Sequence, residues 1–581
     1  MLSDFFKKYG WMYLPGVVFL VLSAWLQMFA PRLLGEIVDM LQVSPMDTTM
    51  IYKTAGLMLL VSVSVFVTRY IWRFMINGNG RNLEAVARQR LFTHFQKMSV
   101  HFYAYRKTGD LVAYGINDIN AIRQMFGPAF ATIVNGTSLS ILAISNMAGG
   151  VHPRMAAFAL LPVAVVLLVI IFMGRQVRVR FRRVQEMFAT ISDRVQENIT
   201  GLRVIKAYVQ EEAEVERFED LNKAFRDANL AMVRVSSMMT PTVDLLFGIS
   251  FTISLIYGGA LVRQGTISLG DFVAFFGYLS LIIQPLRMVS RVINIFSRGS
   301  ASLRRYNAIM ETPPMVEDGP DDGPQDIDHA DVLVNNLSFK YPGDERYALE
   351  DISFHLKPGS SLGILGRTGA GKTTLVNLLV RIYNVEDGTV EIGGCDSNRL
   401  SLDRLRKPIG YVPQDNFLFS TSVEDNIRFF SDEFDHDMVV EAARDAAILE
   451  NIEDFPAGFQ TEVGERGMSL SGGQKQRICI ARALIKKPAL LIMDDSLSAV
   501  DTQTEEQVLA NIKKQTQRGG SAIIIAHRVS ALASCNEIIV LDKGCIVERG
   551  SHEHLMGLDG LYASIARDQQ GQQESEDEVE E

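Results

Sequence analysis

Six stretches of the chain, at about 11–30, 54–76, 129–148, 155–173, 241–262 and 271–297, are apolar almost without interruption by charge. Each has roughly the twenty residues that a helix rising 1.5 Å per residue needs to cross a hydrocarbon core. None is short enough for a core strand. Between the third and fourth lie only Gly149–Arg154, two glycines and a proline among them, which predicts a tight hairpin. The other connections alternate. The first and fifth are short, whereas the second (77–125) and fourth (174–240) are several times longer. These long connections are not loop-like: Arg81–Lys97 and Arg178–Arg226 are rich in helix formers and contain no proline. They predict pairs of helices reaching roughly 35 Å beyond the membrane, with turns near Gly109–Ile122 and Asn198–Ala207.

After residue 310 the pattern breaks. Glu311–Ala330 has prolines at 313, 314, 320 and 324 and seven acidic side chains, which reads as a linker between domains. From Asp331, short β-branched runs such as Ser361–Leu365, Leu490–Met493, Ser521–Ile525 and Glu537–Leu541 alternate with helical patterns. That alternation predicts an α/β domain, 331–568, built on a mainly parallel sheet. The last stretch, 569–581, carries six acidic groups from Glu574 onward and reads as a solvated tail.

Charge orients this arrangement. The 581 residues have a net charge of −10, but residues 1–310 hold 32 Lys and Arg against 19 Asp and Glu, leaving 25 against 48 for the rest. A basic half points to nucleic acid or to membrane, and the six apolar stretches choose membrane. The two long connections hold 7 and 12 basic residues, whereas the short ones hold only Arg32, Lys53, Arg154 and Arg263. The positive-inside rule therefore puts the long connections, both termini and the α/β domain in the cytoplasm. Four cysteines without framework spacing fit a reducing compartment. No cleavable signal or transit peptide is evident, which favours a bacterial plasma or inner membrane.

The α/β half carries the chemistry. Gly366-Arg367-Thr368-Gly369-Ala370-Gly371-Lys372-Thr373-Thr374 follows an apolar strand and opens a helix, matching G-x-x-x-x-G-K-[ST] in the context that motif requires. Glycines let successive N–H groups converge on phosphate oxygens at a helix N-terminus. Lys372 would neutralise the β- and γ-phosphates of ATP, and Thr373 would hold Mg²⁺. Leu490–Asp494 is an apolar strand ending in a carboxylate suited to the same Mg²⁺. On its own such an Asp more often starts a turn, and it gains weight only from the preceding loop. Leu470-Ser471-Gly472-Gly473-Gln474 sits directly before a strong helix pattern, Lys475–Ile485. Ser471 would cap that helix, and the two glycines expose a second set of N–H groups to an anion.

Here the sequence resembles the ATP-binding-cassette family. The order of motifs includes Tyr341 at the adenine-stacking position, Gln414 in Tyr411–Asp415, Thr461–Glu465 before the signature, Ser498–Asp501, and His527 in Ile525–Arg528. Six helices followed by one cassette look like an exporter half-transporter, so the resemblance covers essentially the whole chain. Arg106–Leu111 and Glu197–Ala207 are similar to stretches near the family's coupling helices. The resemblance implies a dimer with two ATPs, each held between the P-loop of one cassette (Gly366–Thr374, with Tyr341, Gln414 and His527) and the signature (Ser471–Gln474) of the other. It implies Mg²⁺ on Thr373, Gln414 and Asp494, catalysis by Asp495, His527, Gln414 and Lys372, and no nucleic-acid partner.

One position departs from the family. Where a Glu normally follows the strand-ending Asp, this chain has Asp495, shorter by one methylene. A misplacement of about 1 Å can cost ~10²-fold in rate. The resemblance then favours a heterodimer with unequal sites, as in bacterial multidrug exporters, over a homodimer. This chain's own P-loop would serve a weakly hydrolysing site, and its signature would complete the competent one. Among polar groups in the apolar stretches (Gln27, Arg69, Arg73, Asn135, Asn146, Asp244, Gln284, Arg287 and Arg291), most lie close enough to helix ends to be interfacial, and Gln284 is nearest mid-membrane. Amphipathic drug-like molecules are the first expected cargo and lipids the second. A homodimeric flippase and an ATP-gated channel or regulatory subunit are the alternatives.

Overall fold

The computed structural model describes residues 2–42, 47–321, 327, 330–464, 467 and 470–580. They form two compact units, Met1–Gln96 with Lys107–Thr312, and Lys97–Arg106 with Pro313–Glu581.

Among the described residues, the regular elements of the first unit are all helices. Among the same residues, six helical segments long and apolar enough to cross a membrane run over Asp4–Met40, Thr48–Lys97, Thr108–Val151, Pro153–Thr200, Glu211–Arg263 and Leu269–Met310. They absorb the expected stalks: the second and fourth are 50 and 48 residues long, crossing and extension being one continuous helix. Only 11% of the most apolar window of Thr48–Lys97 is buried within the chain, so its apolar surface is left for lipid or a partner rather than a core. Small residues bring helices together where they do pack. A Cβ on Gly35 would lie 2.4 Å from the Gly270 carbonyl oxygen, and the Asp39 carboxylate accepts from the Gly270 N–H at 2.6 Å and the Ser268 hydroxyl at 2.6 Å.

The turns fall partly where expected. The fourth segment ends at Thr200, and a short helix Leu202–Ala207 follows, as the pattern predicts. The first long connection turns earlier than Gly109–Ile122, at Ser99–Lys107 around a short helix Val100–Ala104. Ser99 and Lys107 take extended conformations that break the helix without glycine or proline, while Gly109 lies inside a helix. The third segment is interrupted by three π-turns, Tyr114–Asp118, Met125–Ala129 and Asn146–Val151. The first of these presents Asp118 to Arg305 and Ser302, with Ser302 Oγ 2.8 Å and Arg305 Nε 3.0 Å from its carboxylate.

In the second unit, strands β1 (Val332–Phe339), β2 (Leu349–Leu356), β4 (Val390–Ile392) and β5 (Cys395–Asp396) form an antiparallel sheet in the order β2-β1-β4-β5. The other strands are β3 (Ser361–Gly366), β6 (Ile409–Val412), β7 (Leu490–Asp494), β8 (Ser521–Ile525), β9 (Glu537–Asp542) and β10 (Cys545–Gly550). They form a second sheet in the order β10-β9-β3-β8-β7-β6, parallel except for β10. Alternation along β7 and β8 splits the interior in two. Leu490, Ile492, Ile523 and Ile525 face one apolar cluster with helix α1 (Lys372–Leu379), and Leu491, Met493, Ala522 and Ile524 face another with helices α2 (Gly472–Leu484) and α3 (Thr502–Gln517). Two stretches read as unpacked behave differently. In the acidic Pro-rich stretch, the Glu317 carbonyl accepts from Arg381 at 2.9 Å and Asp318 from the Leu402 N–H at 2.9 Å. At the C-terminus, helix α5 (Leu561–Glu580) continues through the expected tail.

Candidate nucleotide site

β3 ends at Gly366 and α1 begins at Lys372, so the intervening loop delivers its N–H groups at a helix N-terminus. Gly371 caps α1 at φ +101, and a Cβ there would meet the Ala348 carbonyl oxygen at 2.8 Å, so only glycine fits. The loop is anchored from behind by the Gly544 N–H donating to the Ala370 carbonyl at 3.2 Å. Lys372 is 7% exposed and donates to the carbonyls of Gly366 at 2.7 Å and Arg367 at 3.2 Å. Burial lowers its pKa from the usual lysine range, against the pull of Asp495 and Asp494. Tyr341 brings an aromatic ring to this loop: its hydroxyl lies 2.8 Å from Thr374 Oγ1, and its ring is edge-on to Phe339 and Tyr383.

Parallel pairing assembles the acidic side. β7 lies between β8 and β6, with Asp494 opposite Ile525 and Met493 opposite Val412. Gln414 and His527, each two residues beyond a neighbouring strand, therefore flank the end of β7. Asp494 is 1% exposed, and burial raises its pKa above the usual carboxyl value, opposed by a hydrogen bond with Thr373. Its Oδ2 is buried without a hydrogen-bond partner, a vacancy in its bonding that a hard cation accepting oxygen ligands from Thr373 and Asp494 would fill. Asp495 follows at φ +47, its N–H donating to the Ile525 carbonyl at 3.0 Å, and its Oδ2 lies 3.8 Å from His527 Nε2.

The signature residues form a reciprocal cap. Ser471 Oγ accepts from the Gln474 N–H at 3.3 Å, and Gln474 Oε1 accepts from the Ser471 N–H at 3.0 Å. They lie at the start of α2, on the opposite face of the sheet from α1. Of the stretch before the signature, Thr461–Gly464 runs beside Thr421, with the Val463 N–H donating to its carbonyl; Glu465 lies outside the described residues. Sequence reasoning missed Gln476. Its buried amide accepts from the Ala499 N–H at 3.0 Å and donates to Ser498 Oγ at 3.2 Å, tying the signature helix to Ser498–Asp501. A glutamine one turn into an otherwise apolar helix face is the only trace it leaves in sequence. Within the apolar spans, Arg69 donates to Gln27 at 3.1 Å and Arg287 pairs with Asp244, so these groups are held by each other. Gln284 is exposed.

If Asp494 holds Mg²⁺ beside bound ATP, its carboxyl, which burial makes ionise later than a free one, should make any Mg²⁺-dependent gain in ATP affinity climb as pH rises from the usual carboxyl range towards neutrality. Titrations with and without Mg²⁺ would show this, and Asp494→Asn should flatten the difference. A Mg²⁺ increment independent of pH in the unaltered chain removes Asp494 from the cation site.

Residues 13–286 match the family model of the ABC transporter transmembrane region, and residues 349–498 match the family model described as ABC transporter. The chain is 36% identical over 562 residues to "Probable multidrug resistance ABC transporter ATP-binding/permease protein YheI" of Bacillus subtilis, covering 97% of this chain and 96% of that one. It is 35% identical to "Multidrug resistance-like ATP-binding protein MdlA" of Escherichia coli, over 98% and 96% of the two chains. It is 29% identical to "ATP-dependent lipid A-core flippase" of Vibrio cholerae, over 90% and 88%. A bacterial Atm1-family ABC exporter solved with ATP bound superposes with a TM-score of 0.78 at 26% identity, over 96% and 98% of the chains. With a six-helix membrane unit and an ATP-hydrolysing cassette on one polypeptide, the chain belongs to the ABC transporters, as a multi-pass half-transporter of the exporter type whose ATPase domain is cytoplasmic.

Proposed function

We propose that this half-transporter pairs with a different chain to drive ATP-dependent export of amphipathic small molecules across a bacterial plasma or inner membrane, both of its termini lying in the cytoplasm. A multidrug relative at 36% identity supports the cargo class, and a lipid flippase at 29% keeps lipid as the second reading. The placement of P-loop and signature on opposite faces of one sheet supports a clamp that two chains complete. Gly366–Thr374 would cradle the phosphates, with Lys372 leaving its loop carbonyls for them and Tyr341 stacking on the base. Mg²⁺ held by Thr373, Asp494 and Gln414 would offset phosphate charge when bound. Asp495 would accept a proton from the attacking water, and His527 would steady the reacting phosphate. A partner's Ser471 counterpart would close the site; this chain's own Ser471–Gln474 would close the partner's.

The observation that carries the unequal-site reading is Asp495. Its backbone is fixed by the bond to Ile525, so the chain does not advance to make up for the missing methylene, and the carboxylate stops short of where a Glu would reach. Asp495→Asn should lower ATPase of the purified complex by no more than about threefold, since this site contributes little turnover. Loss of essentially all turnover would show that this chain hydrolyses in its own right and would favour a homodimer. Mass analysis of the complex, extracted in detergent, identifies the partner directly.

A further inference from the structure

The segment read as a tail reaches the nucleotide site. In the loop between β8 and helix α4 (Val529–Leu532), the His527 carbonyl and the Val529 N–H both meet the carboxamide of Gln569. Nε2 donates to the His527 oxygen at 2.6 Å, and Oε1 accepts from the Val529 N–H at 2.9 Å. One amide thus brackets the backbone on either side of Arg528, as a strand neighbour would. Arg528 itself is held by Glu505, which is almost fully buried, at 3.1 Å.

Gln569 can act as a brace because the helix it stands on is fixed. Tyr562, Ala563 and Ala566 of α5 are buried, the Tyr562 hydroxyl lies 2.7 Å from His552 Nδ1, and the N–H groups of Leu561 and Tyr562 donate to the Glu548 carboxylate. We infer that Gln569 is a positioning residue for His527, setting the distance at which its imidazole stands from Asp495 and from the phosphate. The inference rests on His527 belonging to the ATP site, and it holds whether the second chain is a copy or a different subunit.

Gln569→Met keeps length and removes both bonds, and Gln569→Glu keeps only the acceptor. Truncation after Gln573 removes the acidic run and leaves the amide. In the full complex, Gln569→Met should speed amide exchange of the 526–533 segment about tenfold. It should slow single-turnover hydrolysis at this chain's own site about fivefold, as loss of one or two hydrogen bonds allows. The ATP concentration for half-occupancy should change less than about twofold. Gln569→Glu should fall between, and the truncation should match the unaltered chain. Unchanged single-turnover hydrolysis in Gln569→Met overturns the proposal, whatever the exchange shows. So does a truncation that reproduces the loss with Gln569 still present. Reading this chain's site by single turnover separates the outcome from the heterodimer question, which only steady-state rates address.

Discussion

Gly472→Asp should abolish ATP turnover of the assembled transporter while leaving the cassette folded. A Cβ at Gly472 would meet only the Ala499 Cβ, at 3.5 Å, which is ordinary contact. A carboxylate in the first turn of α2 favours the helix through its dipole, so the melting temperature should hold or rise slightly. The same negative charge would stand where, on the proposed reading, the N–H groups beyond Ser471 would meet a partner's phosphate. Removal of one preorganised donor from a charge-developing site costs about 10²–10³-fold, and placing like charge there should cost at least that. ATPase assays beside a thermal melt test both halves. Turnover near that of the unaltered complex would mean that this signature closes on no nucleotide. Set beside the modest effect expected of Asp495→Asn, the contrast separates a chain that lends its signature from one that hydrolyses for itself.

Gly366→Ala should produce the opposite pattern, a folding defect that then removes nucleotide binding. Gly366 pairs with Leu541 at the end of β3, and a Cβ there would lie 2.4 Å from the Leu541 carbonyl oxygen and 3.2 Å from Ala370 Cβ. Neither neighbour is a flexible side-chain end. Overpacking of this kind costs roughly 1–3 kcal/mol. For a unit of this size that corresponds to a fall of about 3–10 °C in the melting temperature of the second unit. Calorimetry on the full chain would show it, and an unshifted melt with normal ATP affinity would mean that β3 and β9 part more easily than their pairing indicates.

The candidate ATP site was legible in the sequence because its parts are local. Gly366–Thr374 and Ser471–Gln474 each specify a turn and a helix start within ten residues, and Asp494 closes a run whose burial its composition declares. The parallel sheet and the six crossings followed from period and length. What could not be read depends on distant packing. The acidity from Glu574 onward hides that Gln569 lies on the same helical face as buried Tyr562 and Ala566. Gln476 acts on Ala499, across a chain separation that no local pattern spans. The break at Ser99 carries no glycine or proline, so Gly109 drew the expected turn some ten residues too far along the chain. The prolines of 311–330 signalled a boundary, but not that Arg381 and Leu402 would grip Glu317 and Asp318.

The π-turns of the third crossing have a consequence for how this protein tolerates length change. Each accommodates one residue more than a regular turn would, and one residue is about 100° of rotation. Deleting a single residue within Tyr114–Asn117 should therefore relax that turn into ordinary helix and leave the helix on either side facing its present neighbours, because the turn already holds the extra residue that is removed. Asp118 would keep Arg305 and Ser302, whereas the same one-codon loss within the regular helix Phe130–Ser145 would turn one flank against the other by that angle and change which side meets its neighbour.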